Sequence, residues 1–581
     1  MKKTLLLFFV VTITIVLNGQ SFTKITAGDV VNTKSASRSA NFIDINNDGW
    51  DDIFISNGPS SGQNNMLYLN NQDGTFIKVN DDPIVNDNAK SDGATFADAD
   101  NDGDLDACVV TWYGQKNNFY RGLSNGVFEG VENIISNTGS YSETASWGDM
   151  DNDGLIDLYV TNSEGNKRNK LFHNLGDGNF EEINSGPPVN SNLPSRSVDW
   201  IDYDNDGDSD LFITNEGNQK NELFENIGNG EFVNKTGLAI LDSNKNSAGS
   251  SWADIDNDGD FDLFVANYQG QENQLFFNNG DGTFTEVTEQ SIVEDVGWAF
   301  GSSFADVDND GDLDLFVCNA FGGIEKNSFY INNGDGSFDK NTTSAPAIQE
   351  GWTFGCAWGD YDNDGFMDLL LANCKDDNQE NGLYRNEGNN NNWFKLSCEG
   401  SQTNRSAIGT VVRIKATING QPVWQTRRIT GQSGYNSQNS LVVHFGLNDA
   451  QVIDSLIIDW AGQESQYFEN VDINSSCKIK EGGLINCGIS SSNDISSETK
   501  KFKIFPNPIS GDTFTFENPF HSNHNPVDIR IYNIEGKVVY SKKIKTIDNK
   551  HTINNLKIPN GLYKVLISQK GEVRIASLII Q

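Results

Sequence analysis

A chain of 581 residues with 81 acidic against 41 basic side chains carries a formal charge of −40. So acidic a surface counts against nucleic acid as a partner, because phosphate backbones are held by clustered Lys and Arg. Five histidines in the whole chain, three of them after residue 520, leave little material for a His-based triad or a His-rich zinc site.

Met1-Lys2-Lys3 followed by an apolar run from Leu5 to Leu17 reads as a secretory signal over residues 1–19. No cysteine stands at the junction, which disfavours a lipoprotein anchor. No later stretch is long and apolar enough to span a bilayer, so an exported chain without a transmembrane segment is expected.

From residue 44 one acidic nonapeptide recurs seven times, at starts 44, 98, 149, 202, 254, 306 and 360. A spacing of 51 to 54 residues marks a structural repeat. The pattern D-x-[DN]-x-D-G-x-x-D puts oxygen side chains at positions 1, 3, 5 and 9. These are Asp44, Asn46, Asp48 and Asp52; Asp98, Asp100, Asp102 and Asp106; Asp149, Asp151, Asp153 and Asp157; Asp202, Asp204, Asp206 and Asp210. The last three sets are Asp254, Asp256, Asp258 and Asp262; Asp306, Asp308, Asp310 and Asp314; Asp360, Asp362, Asp364 and Asp368. Oxygen cages of this kind suit a hard cation, most naturally Ca²⁺, with up to seven sites. Position 12, a Glu in an EF-hand, is here Ile55, Val109, Val160, Ile213, Val265, Val317 or Leu371, so each loop is expected to run into a buried strand. Asp, Asn and Gly also make ordinary turns. A turn, however, does not need three or four carboxylates packed together.

The fifth repeat illustrates the unit: strands are expected at 247–253, 261–267, 273–278 and 283–288. The last two are joined by Asn279-Gly280-Asp281-Gly282, a hairpin signal that recurs at Asp73-Gly74, Asp177-Gly178, Asn229-Gly230 and Asp335-Gly336. Four strands per unit, seven times over, argue an all-β, seven-bladed β-propeller across 22–390. The aromatics two residues before each loop, Phe42, Phe96, Trp147, Trp200, Trp252, Phe304 and Trp358, are expected in the core between blades. These units resemble the FG-GAP or VCBS repeats of integrin-like propellers, and that resemblance implies calcium in the loop joining the first two strands of a blade.

Beyond 390 the repeat stops. Asn392-Trp393-Phe394, Asn404-Arg405, Gly431-Gln432-Ser433-Gly434-Tyr435, His444-Phe445-Gly446-Leu447 and Ile458-Asp459-Trp460 resemble the ASPIC and UnbV-type domain that follows such a propeller in the cartilage acidic protein family. Period-2 segments predict a small β module over 391–487, and the resemblance lends it no activity. A Ser-rich linker over 488–500 leads to a tail of opposite sign, with 13 basic and 6 acidic residues from 500 to 581. Phe502-Lys-Ile-Phe505-Pro506-Asn507-Pro508, Gly536-Lys537-Val538-Val539 and Asn560-Gly561-Leu562-Tyr563 make residues 501–581 similar to a type A sorting domain of type IX secretion. That implies an immunoglobulin-like β-sandwich, the secretion machinery as a partner, and an extracellular or outer-membrane surface location reached through the periplasm.

Seven cysteines are an odd number for an oxidising compartment. The spacing of Cys356 and Cys374 about their loop allows a cross-strand neighbourhood, Cys477 and Cys487 are able to close a small ring, and Cys108, Cys318 and Cys398 are expected to be buried, inert thiols. His444 is expected to be structural.

Nothing in the sequence assembles a catalytic group. The leading reading is a calcium-binding adhesion protein with a glycan or protein ligand; the alternatives are a polysaccharide lyase or glycosidase, and a structural spacer. Strand alternation puts the acidic loops and hairpins on one rim and the loops between second and third strands on the other. Trp112, Tyr113, Tyr268 and Phe321 lie in those opposite loops and are expected to be exposed there, forming the ligand face or plugging the channel mouth.

Overall fold

The computed structural model describes residues 21–322 and 325–489, then 504–505, 513–517, 527–532, 538–544, 550–554, 556–559, 561–569 and 572–580. The signal and nearly all of the Ser-rich linker lie outside the described residues. The chain divides into two compact units, Met1–Ser476 and Cys477–Gln581.

In the first unit the repeats fold as antiparallel sheets of four strands, seven of them among the described residues. In the fifth repeat the strands are Ser247–Ala253, Asp262–Asn267, Gln274–Asn278 and Phe284–Val287. The first strands of successive sheets touch in turn, and Ser37–Ile43 of the first sheet meets Thr353–Gly359 of the last, so the ring closes as in a β-propeller. The closing sheet is shared between the two ends of the ring. Its outer strand is Phe22–Lys24, which pairs with Gly382–Asn386. Phe22 opposes Asn386 as Phe76 opposes Asn70 and Phe284 opposes Asn278.

Of the seven aromatics preceding the loops, Phe42, Phe96, Trp147, Trp200 and Trp358 are buried, whereas Trp252 and Phe304 are half-buried. Those two line a cavity of about 130 Å³ beside Arg427, Arg428 and Gln432.

The segment after the repeats belongs to the same compact unit as far as Ser476. It forms a sheet ordered Gln421–Arg428, Val411–Ile418, Ile453–Asp459 and Gln466–Val471, while Asn392–Glu399 pairs with Val443–Asn448. Its connection from Gly431 to Ser440 runs along the inner strands of the ring: Gln438 bridges Asn41 and Gly434 bridges Ser250. The approach is close enough that a Cβ on Gly434 would lie 1.9 Å from the Ser302 carbonyl, and its φ of +61° suits glycine.

In the second unit Cys477 and Cys487 form a disulfide. Two further sheets are present, one of three strands and one of four. Phe514, Phe516 and Ile553 of the smaller and Ile529, Val565 and Ile567 of the larger share one apolar core. Among the described residues no helix is long and apolar enough to cross a membrane.

The cross-strand neighbourhood that the spacing allowed for Cys356 and Cys374 is not formed, and Cys356 faces Leu371 instead. Cys356 packs with Cys318, and Cys374 lies in a separate cluster with Phe300, Phe354 and Tyr435. Sequence distance to a loop start says nothing about the neighbouring blade, and it is the neighbouring blade that supplies Cys318. Burial pushes the Cys108 thiol up to about 12 and the Cys374 thiol up to about 11, so neither is a nucleophile.

Candidate metal loops and channel mouth

Each acidic loop joins the first strand of a sheet to the second, and its carboxylates are fixed by its own backbone. Asp44 accepts the N–H of Asp48 at 2.9 Å and that of Gly49 at 2.8 Å on its two oxygens. Asp98, Asp149, Asp202, Asp306 and Asp360 repeat both bonds. The glycine at position 6 makes this possible with a positive φ, +108° at Gly103. At position 9, Asp52 accepts from Ile45 at 3.1 Å and from Asn70 on the third strand at 2.7 Å. The other six position-9 carboxylates do the same, so each loop is stitched to two strands of its sheet.

Sequence reasoning missed the residue at position 4. Asn47, Asn101, Asn152, Asn205, Asn257, Asn309 and Asn363 all take positive φ, which Asn tolerates better than other side chains. Each donates its amide to the next loop in the ring, and Asn363 returns to the Gly49 carbonyl at 3.3 Å. The signal was present as an invariant Asn in the motif.

Several of these acidic clusters can hold a metal ion: Asp98 with Asp100 and Asp106, Asp149 with Asp151 and Asp157, Asp202 with Asp204 and Asp206, and Asp254 with Asp256 and Asp258. One oxygen each of Asp151, Asp204, Asp308 and Asp362, all at position 3, is buried without a hydrogen-bond partner, as are both oxygens of Asp254. Orphaned carboxylate oxygens at the same place in the repeat fit a bound cation, since burying an uncompensated charge is costly. The hard, all-oxygen donor set fits calcium.

Burial first, and neighbouring carboxylates with it, push the position-9 acids far up: Asp52, Asp106 and Asp262 to about 8 and Asp210 to about 9. Asp98 at position 1 rises to about 7, and Asp149 and Asp202 to about 6. A carboxyl raised in the folded state and ordinary in the unfolded one holds its extra proton above about pH 4, so metal-free stability falls as pH climbs from there to about 8. Metal must displace those protons, so calcium should stabilise more strongly over the same window. The expected result is a metal-free melting temperature lower at pH 8 than at pH 5, with a larger calcium increment at pH 8. A metal-free protein that is more stable at pH 8 would contradict this.

At the opposite end of the channel the first strands begin, and there the 431–440 segment reaches its tip. The Tyr435 hydroxyl donates to Glu143 at 2.6 Å and receives Arg196 at 3.3 Å. Arg196 also pairs with Glu143 at 2.8 Å and Glu216 at 2.6 Å, and Trp112 donates to Glu143 at 2.8 Å. Arg38 lies over Phe354 at 4.3 Å and 3.8 Å from Asp92. Glu143 sits below its ordinary range: burial alone would raise it, but Arg196 and the hydrogen bonds outweigh that.

Of the four aromatics expected to be exposed on this face, Tyr113 at 37% and Phe321 at 42% exposure are open. Trp112 is half-buried against Tyr113 and Tyr141. Tyr268 corrects the expectation of exposure: it is 7% exposed, packs on Phe300 and gives its hydroxyl to Glu216. Arg196 lies over its ring, and that desolvated pairing draws Tyr268 inward. Trp298, Trp352 and Phe354 complete the aromatic collar, unflagged in the sequence because they precede or begin inner strands. His444 is structural, buried with its Nε2 3.1 Å from the Gly365 carbonyl, and burial lowers it to about 4.

A model of the FG-GAP-like repeat matches 44–109, 108–160, 149–213, 202–265, 254–317 and 318–371. The ASPIC and UnbV model matches 400–485, and the secretion system C-terminal sorting domain matches 503–581. The chain is similar to cartilage acidic protein 1 of Xenopus tropicalis, 28% identical over 268 residues, which is 44% of this chain and 40% of that protein. It is likewise similar to cartilage acidic protein 1 of Homo sapiens, 29% identical over 264 residues, 43% of this chain and 38% of that protein. The chain thus spans about two fifths of the length of the curated relatives it matches. Among solved structures, rhamnogalacturonan lyase YesW aligns over 64% of this chain and 73% of its own at 13% identity and a TM-score of 0.35, a likeness too loose to bear on chemistry.

Proposed function

The chain belongs to the FG-GAP-like repeat family, and on that premise we propose that it is a calcium-loaded, seven-bladed propeller that binds a glycan or protein ligand at the cell surface. Its sorting domain indicates export by type IX secretion to the cell surface or extracellular space. Calcium is assigned to the acidic loops because one position-3 oxygen is buried and unpaired in four of them, at Asp151, Asp204, Asp308 and Asp362.

The ligand is assigned to the far mouth of the channel. The observation that carries this is the pair of exposed aromatics, Tyr113 and Phe321, set beside a floor in which Glu143, Arg196, Glu216 and Tyr435 pair with one another. Open rings on a rigid, paired base stack on sugar faces or fill a partner's pocket. Glu143 is held by Tyr435, Arg196, Trp112 and Ser163, and such a group positions its neighbours; it is not free to move protons in a reaction. Binding without turnover is therefore favoured over a lyase or glycosidase, and a rigid ring with open aromatics is favoured over an inert spacer.

Glycan-array binding tests the assignment. The full chain is expected to retain glycans unaltered, and the Tyr113→Ala, Phe321→Ala variant to bind at least tenfold more weakly with calcium content and melting temperature unchanged. Full affinity in that variant would move the site elsewhere, first to the 391–487 module. Shortened glycans would establish the enzyme reading.

A further inference from the structure

The seven loops match one motif, yet two of them are supplied with cations by the chain itself. In loop 7, Lys395 Nζ lies 2.5 Å from Asp360 Oδ2 and 2.7 Å from Asn363 Oδ1, with Lys395 and Asp360 both nearly fully buried. Arg385 Nε lies 3.0 Å from Asp362 Oδ2. In loop 2, Arg405 Nε lies 3.6 Å from Asp98 Oδ2 and Arg121 Nε 3.4 Å from Asp100 Oδ2. The two arrangements correspond: position 1 is paired by a residue from the segment after the ring, and position 3 by an arginine of the blade's own third strand.

Register explains the arginines. Arg121 and Arg385 each immediately precede the residue whose N–H is given to the position-9 carboxylate, Gly122 to Asp106 at 2.8 Å and Asn386 to Asp368 at 2.7 Å. Their side chains are thereby directed at the loop of their own blade. The other blades place Leu69, His173, Glu225, Phe277 and Ile331 at this point. Of these only the His173 imidazole reaches position 3, at 3.3 Å from Asp151. Among the described residues, loops 3 to 6 have no Lys or Arg within ion-pair distance of position 1 or position 3; the buried Arg428 acts on Asp202, and the buried Arg427 on Asp254 and Asp306, only from beyond that distance.

Resting on the calcium reading above, we propose that the loops differ in class: loops 2 and 7 are weak calcium sites whose charge is largely met by tethered cations in direct contact, and loops 3 to 6 are tighter sites. A divalent ion entering loop 2 or 7 stands within several ångströms of two fixed positive charges. Even with water-like screening, each such charge lowers affinity about tenfold. The donors remain in both: Asp98, Asp100 and Asp106 converge in loop 2, and Asp362 of loop 7 keeps one buried unpaired oxygen like its counterparts in loops 3, 4 and 6. Loops 2 and 7 therefore bind weakly and are not dead. The consequence for the 391–487 module is specific: through Lys395 and Arg405 it stands in for calcium at two points of the rim, so it stays seated there when free calcium falls.

The test is a calcium titration of the full chain, with bound ions counted by native mass spectrometry at stepped free calcium and affinities read by calorimetry. The wild type is expected to fill loops 3 to 6 before loops 2 and 7, the last two sites needing calcium at least tenfold higher. Because Arg121 and Arg385 are partly exposed and outside the buried Lys395 seat, the R121M, R385M double variant should fold, and its weak class should tighten about tenfold or merge with the strong one. Seven equivalent sites in the wild type, or a weak class unmoved in the variant, would overturn the two-class proposal and leave calcium binding standing. No bound calcium at any concentration would overturn both.

Discussion

EDTA is expected to lower the melting temperature of this protein by about 10 °C or more, and calcium to restore it. A site at ten times its dissociation constant contributes about 1.4 kcal/mol by mass action, so seven independent sites approach about 10 kcal/mol, the stability of a whole domain. The route from ion to fold is visible in the loops. Position-1 and position-9 carboxylates hold the backbone of the loop and both adjoining strands, and position-4 asparagines chain each loop to the next. Removing the ions leaves three or four crowded carboxylates at each link of that chain. Asp254→Ala should remove one site and lower the melting temperature by a few degrees, leaving the remaining sites filled. A melting curve identical in EDTA and in millimolar calcium would show that the loops are turns held by their hydrogen bonds alone.

Deletion of residues 503–581 is expected to abolish surface delivery, with a folded, calcium-binding propeller accumulating in the periplasm. The tail matches the secretion system C-terminal sorting domain over that whole span, and its excess of basic residues contrasts with the acidic chain before it. The apolar core of its two sheets draws on residues of that unit alone, including Phe514, Ile529 and Val565, so its loss should not expose the core of the ring. Fractionation of cells carrying the truncated gene reads the outcome. Secretion of the truncated chain at wild-type levels would remove the address function from the tail.

Most of the ring was legible because its signals are local and repeated. The loop motif, the Asn-Gly and Asp-Gly hairpins and the alternating strands placed the fifth sheet within about one residue at every boundary. What sequence did not disclose is long-range. Phe22–Lys24 lacks a preceding hairpin, so nothing local says that it completes a sheet whose other strands lie more than 300 residues on. The Gly431–Ser440 segment has neither period, so nothing local says that its polar groups meet the inner strands, as Gln438 does in accepting the Phe96 N–H at 2.7 Å. The same blindness put Tyr268 on the surface, because the arginine that draws it inward lies on another blade. The cations of loops 2 and 7 were hidden for a related reason: Arg405 stands far in sequence from Asp98, and both it and Lys395, the partner of Asp360, lie among residues that read as a separate module.

The central claim is that the acidic ring is a calcium ring, and elemental analysis of the purified full chain, dialysed against micromolar calcium without chelator, tests it most directly. The account predicts calcium as the bound metal at several ions per chain, rising toward seven as free calcium is raised to millimolar, and lost on EDTA treatment together with thermal stability. A chain that folds, melts cooperatively and carries no calcium at millimolar concentration would contradict it.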